Sequence, residues 1–279
     1  MVLETTIRPL PPYSLALSAR LRSDPTRCLR DGVLTLALEA GGDPALARVR
    51  QRPDGALAVV VDSAAPEEAL AHIRFVLAAD ADHTPFVRRF ADDRLLGRAV
   101  RSLRGLRPLR TATVTHALLK AVCGQLIQAS AARQLEARLL RALGTSCGDL
   151  FLPPTRATFA GLAPAQLARL GLVARKANAL VRLSREWDVE RLRGVETPAA
   201  VARIERERGL GPWSAGMMCL HGLGRYEHGL VGDLGLIKLC AALLGRRAEP
   251  EDTSRLLERY DEWAGLASVY LLAGPVRTI

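Results

Sequence analysis

From Thr111 to the end of the chain, apolar residues recur at three- and four-residue spacing. That helical period predicts segments near 112–127, 130–143, 164–170, 174–187, 198–207, 213–222, 234–244, 252–260 and 263–273. Thr197-Pro198 reads as a helix start, with Thr197 as N-cap and Pro198 at the first helical position. The first hundred residues have a different rhythm. Tyr13–Arg20 alternates, Gly32–Leu38 is a short apolar run, and Leu46–Val61 reads as a hairpin turning at Pro53-Asp54-Gly55. Pro66 opens a helix to about Ala79, with Glu67 and Glu68 favourable in its first turn. Residues 1–108 are therefore expected to form a packed α/β module, and 109–279 a helical body. The boundary is placed in a basic connector around Pro108, where Arg101, Arg104, Arg107 and Arg110 are expected in a solvated linker or against phosphates.

The chain of 279 residues has room for one large or two ordinary domains. Its net charge of +10 is unevenly spread: residues 1–108 carry 16 Lys and Arg against 13 Asp and Glu, and 109–279 carry 23 against 16. The excess in the helical half suits a surface for phosphates, although a solvated basic face has the same signature. The five cysteines are scattered without C-x-x-C spacing, which points to buried free thiols rather than zinc or a disulfide framework. With no leader-like or long apolar stretch, a soluble, intracellular protein is expected, cytoplasmic and nucleoid-associated if bacterial. Nothing requires more than a monomer.

One stretch carries chemistry. Arg206 to Lys238 holds Gly209-Leu210-Gly211, then a short helix, then one acid, Asp233, at the start of another helix. Two glycines allow a tight turn that brings backbone close to a ligand. The free N–H groups of the following helix can then hold a phosphate without reading sequence. A carboxylate beside a sugar stabilises the positive charge that develops as a base departs, and orients the attacking water. Gly232 and Gly235 leave room around Asp233 for that approach. Asp is equally a common N-cap, so the acid has both readings.

At these residues the chain resembles the helix-hairpin-helix superfamily of DNA glycosylases, and most of all its 3-methyladenine DNA glycosylase II branch. The family hairpin runs roughly Pro-Gly-Ile-Gly-x-Trp-Thr-Ala, and Arg208-Gly209-Leu210-Gly211-Pro212-Trp213-Ser214-Ala215 fills that frame. The family aspartate follows at about the spacing of Asp233. Upstream, Gly124-Gln125-Leu126 is similar to the family's Gly-Gln-Leu segment. The resemblance implies an α+β protein: a small N-terminal antiparallel-sheet domain, then an all-α helix-hairpin-helix glycosylase core. It implies Asp233 as catalytic acid, and Trp213, Met217 and Tyr270 about the base. It also implies DNA contacts from Gln125, Leu126, Gly209, Leu210, Gly211 and Ser214. Leu126 would be the wedge that fills the stack vacated by a flipped base, with Gln125 on the opposite strand. A core leucine is its plainer reading, as a core tryptophan is for Trp213.

The implied partner is double-stranded DNA with a damaged base, without a membrane and without a cofactor beyond a monovalent cation on the hairpin carbonyls. No iron–sulfur cluster is expected, for the cysteines lack its spacing. Relatives that also cut the strand place a lysine two positions after the second hairpin glycine; here that residue is Trp213. Lys238, five residues past Asp233, is expected to point elsewhere, so the chain reads as monofunctional. Met217 stands where the branch often has an aromatic residue, and Glu262-Trp263-Ala264 where it has Pro-Trp-Arg, so the lesion is less defined than the reaction. Alternatives are deaminated or oxidised bases, a non-catalytic DNA-binding module, or a response regulator. His221 and His228 lack ligand spacing and are expected in loops or at the surface; no metal site is expected.

Overall fold

The computed structural model describes residues 1–19 and 24–275. Five strands form one antiparallel sheet: β1 (Val2–Ile7), β2 (Arg27–Arg30), β3 (Val33–Ala40), β4 (Asp43–Gln51) and β5 (Leu57–Asp62), in the order β1-β5-β4-β3-β2. The hairpin expected at Pro53-Asp54-Gly55 joins β4 to β5, with Val49 opposite Val59. Alternate residues of β4 and β5 are buried, as one-sided packing requires. They bury against α1 (Leu15–Ala19) and α2 (Pro66–Val76). The alternation expected over Tyr13–Arg20 is instead this short helix, because Leu15, Ser18 and Ala19 face the core at helical spacing; Arg20 lies outside the described residues.

The remaining helices are α3 (Thr84–Phe90), α4 (Gly97–Ser102), α5 (Val114–Gly124), α6 (Ala129–Leu143), α7 (Arg156–Ala160), α8 (Pro164–Arg169) and α9 (Ala174–Glu186). They continue with α10 (Thr197–Glu205), α11 (Pro212–Met218), α12 (Leu234–Leu244), α13 (Pro250–Glu258) and α14 (Ala264–Ala273). Two short strands, β6 (Ser146–Cys147) and β7 (Leu150–Phe151), follow α6. Glu196 occupies the N-cap of α10, so Thr197 and Pro198 are its first helical residues, one step from expectation.

Two apolar cores divide the helices. One gathers α5 to α11; the other joins α3 and α4 to the helices after Trp213. Packing therefore does not divide at residue 108. Phe86, Phe90, Leu96 and Val100 pack with the C-terminal helices. Nor is the connector solvated throughout. Arg107 is fully buried, donating to the carbonyls of Leu10 and Pro12 with its guanidinium over Tyr13. Arg110 lies over Phe75 and donates to the Gly224 carbonyl. Among the described residues no helix is long and apolar enough to cross a membrane.

Candidate active site

Between the two helical cores runs a cleft of about 1810 Å³. Asp233 borders it at the head of α12. The acid takes both readings open to it. Its Oδ1 accepts from the backbone N–H groups of Gly235 (2.8 Å) and Leu236 (3.4 Å), capping the helix. Its Oδ2 accepts from the indole Nε1–H of Trp213 at 3.0 Å. The cap fixes the carboxylate and the indole aims it.

Trp213 is the second residue of α11, which Pro212 opens. Its six-membered ring lies against Gly124. A Cβ at that position would come within 2.6 Å of Trp213 Cη2, so glycine is what lets α5 and α11 close together. The hairpin joins α10 to α11, and Gly209 sits at φ 97°, where a side chain would be strained. Gly209 and Gly211 border the cleft. Leu210 borders the cleft too, while its buried side chain packs into the α5–α11 core and anchors the hairpin. Ser214 is likewise buried, its Oγ accepting from the Gln125 amide at 3.1 Å.

The helix expected to reach residue 127 stops at Gly124. Gln125 then turns back to the hairpin, its Nε2 donating to the Gly209 carbonyl at 2.7 Å and to Ser214 Oγ, so its amide N–H groups are committed within the protein. Leu126 is 78% exposed with φ 57°, which excludes the core reading. A leucine in the left-handed region costs about 1–2 kcal/mol, and burial does not offset that here.

Met217 borders the cleft as expected, but Tyr270 does not. The α14 residues that do are Val269, Leu272 and Ala273, one helical face; Tyr270 is rotated about 100° from Val269. It is fully buried against Phe86, donates to the Leu106 carbonyl at 3.2 Å, and burial pushes its hydroxyl pKa up. The cleft wall facing Asp233 is thus aliphatic, and Trp213 is its aromatic side chain. Exposed Arg133, Arg175 and Arg208 ring the opening. Lys238 also borders it, contrary to expectation, because its long side chain reaches back along α12.

His221 is buried, not at the surface: a π-turn (Cys219–Leu223) extends α11 and carries it inward, where Nδ1 meets the Leu109 carbonyl at 3.2 Å. His228 is half-buried, with Nε2 3.2 Å from the Pro212 carbonyl. Cys123, Cys219 and Cys240 are buried and free, while Cys28 and Cys147 are half-buried.

Sequence reasoning missed one buried polar cluster. Asp24, His116 and Glu136 bring ligand-type atoms within 4.8 Å of one another. The centre is already neutralised, for Lys120 Nζ lies 2.6 Å from Glu136 Oε1 and 3.4 Å from Asp24 Oδ2, and Arg27 meets Asp24 at 3.2 Å. Burial pushes Asp24 up, but Arg27 and Lys120 outweigh it and hold the carboxyl well below the usual range. Burial also opposes ionisation of Glu136, and Lys120 with His116 again prevails. The arrangement ties the start of β2 to α5 and α6. Asp24 and Lys120 stand 96 positions apart, so the sequence carries no local trace of it.

No family model matches the chain. A DNA-3-methyladenine glycosylase of Bacillus subtilis is 26% identical over 216 residues, 74% of this chain and 71% of that protein. A probable bifunctional transcriptional activator/DNA repair enzyme AlkA of Mycobacterium tuberculosis is 27% identical over 250 residues, 87% of this chain but only 50% of that protein. Among solved structures, a 3-methyladenine DNA glycosylase from Archaeoglobus fulgidus superposes with a TM-score of 0.81 at 19% identity, covering 97% of each chain. The 8-oxoguanine glycosylase/lyase of Clostridium acetobutylicum gives 0.78 at 15% identity, over 99% of each. The fold is the one these two DNA glycosylase structures share. In sequence it is similar to proteins named as 3-methyladenine glycosylase and AlkA.

Proposed function

We propose that this protein is a DNA glycosylase of base excision repair that hydrolyses the N-glycosidic bond of flipped-out alkylated bases, of the 3-methyladenine and 7-methylguanine type. It leaves an abasic site without cutting the strand. The observation that carries this reading is Asp233, capped through one oxygen, aimed through the other by Trp213, and bordering the cleft. An alkylated base is cationic and leaves readily, so the protein's task is to stabilise charge on the sugar and place a water, which a fixed carboxylate does. The indole face attracts a cationic base, and Met217 and the α14 aliphatic residues enclose it. The arginines at the rim take phosphates, and Leu126 enters the vacated stack. A monovalent cation bridging hairpin carbonyls to a phosphate would serve binding alone. The Gly209 carbonyl already accepts from Gln125, which leaves that role to its neighbours. The enzyme works as a monomer in the cytoplasm, associated with the nucleoid if the source is bacterial.

The position where strand-cutting relatives place a lysine is here the tryptophan that holds Asp233. Lys238 at the cleft favours the second reading, an oxidised-base glycosylase with lyase chemistry through an amine. Duplexes carrying methylated bases and duplexes carrying 8-oxoguanine, each treated with the protein, separate the two. Alkali-labile abasic sites with intact strands and no borohydride-trapped adduct support hydrolysis. Trapped adduct lost in Lys238→Met supports the lyase.

Two substitutions probe the site. Trp213→Phe removes the donor to Asp233 and is expected to lower single-turnover excision about tenfold or more, as loss of a hydrogen bond to a charged group implies. Undamaged DNA should still bind with wild-type affinity. Leu126→Gly is expected to raise unfolding stability by about 1 kcal/mol, because glycine accepts the left-handed φ. Excision from duplex should fall at least about tenfold without the wedge. Denaturant titration and single-turnover kinetics measure the two effects, and a loss of stability would contradict the strain.

A further inference from the structure

Leu126 holds its unfavourable conformation in a recognisable turn. Gln125 has φ −55° and ψ 123°, Leu126 has φ 57°, and the Ile127 N–H points back to the Gly124 carbonyl at 3.5 Å. These are the central dihedrals of a type II turn, which ordinarily places glycine where Leu126 stands. Turns of types I and II differ by a flip of the central peptide, here the Gln125–Leu126 peptide. With a leucine at that position, local preference favours the type I form and a negative φ. Something outside the turn must oppose the flip.

Lys176 on α9 is that group. It is buried, and among the described residues its ammonium pairs with backbone carbonyls rather than a carboxylate. Its Nζ donates to the Gln125 carbonyl at 2.8 Å and the Cys123 carbonyl at 3.3 Å. The first belongs to the central peptide of the turn. The second is an open carbonyl of the last turn of α5, where a cation also meets the negative helix end. Burial lowers the ammonium pKa, so the lysine sits there against its own solvation. From the other side, the Gln125 amide ties the turn to Gly209 and Ser214.

We propose that Lys176 is a positioning residue for strand separation: by pinning the Gln125 carbonyl it locks the turn in its type II form and so aims Leu126 outward. Gln125 joins that turn to the hairpin, so phosphate grip and wedge form one rigid body. The inference rests on the glycosylase reading only for its consequence in repair; the conformational claim stands by itself.

Lys176→Met, Lys176→Arg and Leu126→Ala, with the Lys176→Met/Leu126→Ala double variant, test it on 7-methylguanine in duplex and in an unpaired bulge. In Lys176→Met, excision is expected to fall about tenfold further on the paired than on the unpaired lesion, because only the paired one needs a wedge. Lys176→Arg, which keeps donors for both carbonyls, should restore the ratio. The double variant should be no slower than Leu126→Ala, since the lysine acts through the leucine. A crystal structure of Lys176→Met should show the Gln125–Leu126 peptide flipped and Leu126 at negative φ. Equal losses on both lesions, additive losses in the double variant, or an unflipped peptide would overturn the proposal. If wild-type protein releases no base, the glycosylase reading fails, and the crystal structure and Lys176→Arg still decide the turn.

Discussion

Asp233→Asn is expected to slow base release from methylated duplex by about a thousandfold, while the protein folds and binds DNA. The substitution keeps the shape and an oxygen for the N–H groups of Gly235 and Leu236, so α12 keeps its cap. In the proposed reaction it removes the negative charge that would face the developing positive sugar, and the amide presents its own N–H groups toward the Trp213 indole, two donors in opposition. A preorganised charge at the reacting centre accounts for about two to three orders of magnitude in rate when lost, and misalignment adds to it. Removing an anion from the cleft should also tighten binding to an abasic-site analogue slightly. Single-turnover kinetics, anisotropy with the abasic duplex and a thermal melt separate the three effects. A rate within about threefold of wild type would remove Asp233 from the chemistry.

The largest expected effect on stability is far from Asp233. Lys120→Met should destabilise the protein by about 3–5 kcal/mol at pH 7, because it leaves the buried Glu136 and Asp24 carboxylates short of a cation. The deficit has a defined pH dependence. In the wild type both carboxyls lie below their ordinary range. Their stabilising contribution is therefore complete above the unfolded carboxylate pKa of about 4, and is lost as pH falls through the native values. Without the ammonium, burial is less opposed and the native pKa values rise. The carboxyls of the variant then take up protons at higher pH, and its deficit shrinks from pH 7.5 to pH 5. Urea titrations at both pH values measure this. A loss under about 1 kcal/mol, or one independent of pH, would contradict the balanced cluster.

What the sequence disclosed was what repeats locally. The 3.6-residue period of the helical half is set by which face each helix buries, so α6, α9 and α12 fall within one residue of expectation. The hairpin and its acid are legible because a glycine turn, a proline start and an N-cap are local requirements. Phase was less legible. Tyr270 and Leu272 are equally apolar in sequence, and the cleft selects Leu272 because α14 packs with Tyr270 against Phe86. Long-range partners were not legible at all. Arg107 reads as a linker charge and is fully buried, held by carbonyls almost a hundred residues away. Lys176 gave one faint signal, a charged residue on the buried stripe of α9 beside Ala177 and Leu180. Only the fold shows that it faces a turn 50 residues upstream.

The proposed function requires one event, the departure of a free base from DNA at Asp233. Purified protein incubated with methylated duplex, with the released small molecules identified by mass, tests it directly. Free 3-methyladenine or 7-methylguanine from the wild type, and none above background from Asp233→Asn that still binds the duplex, is the expected result. Binding without release of any base from methylated DNA would contradict it and leave a protein that grips DNA by its hairpin without cutting the glycosidic bond.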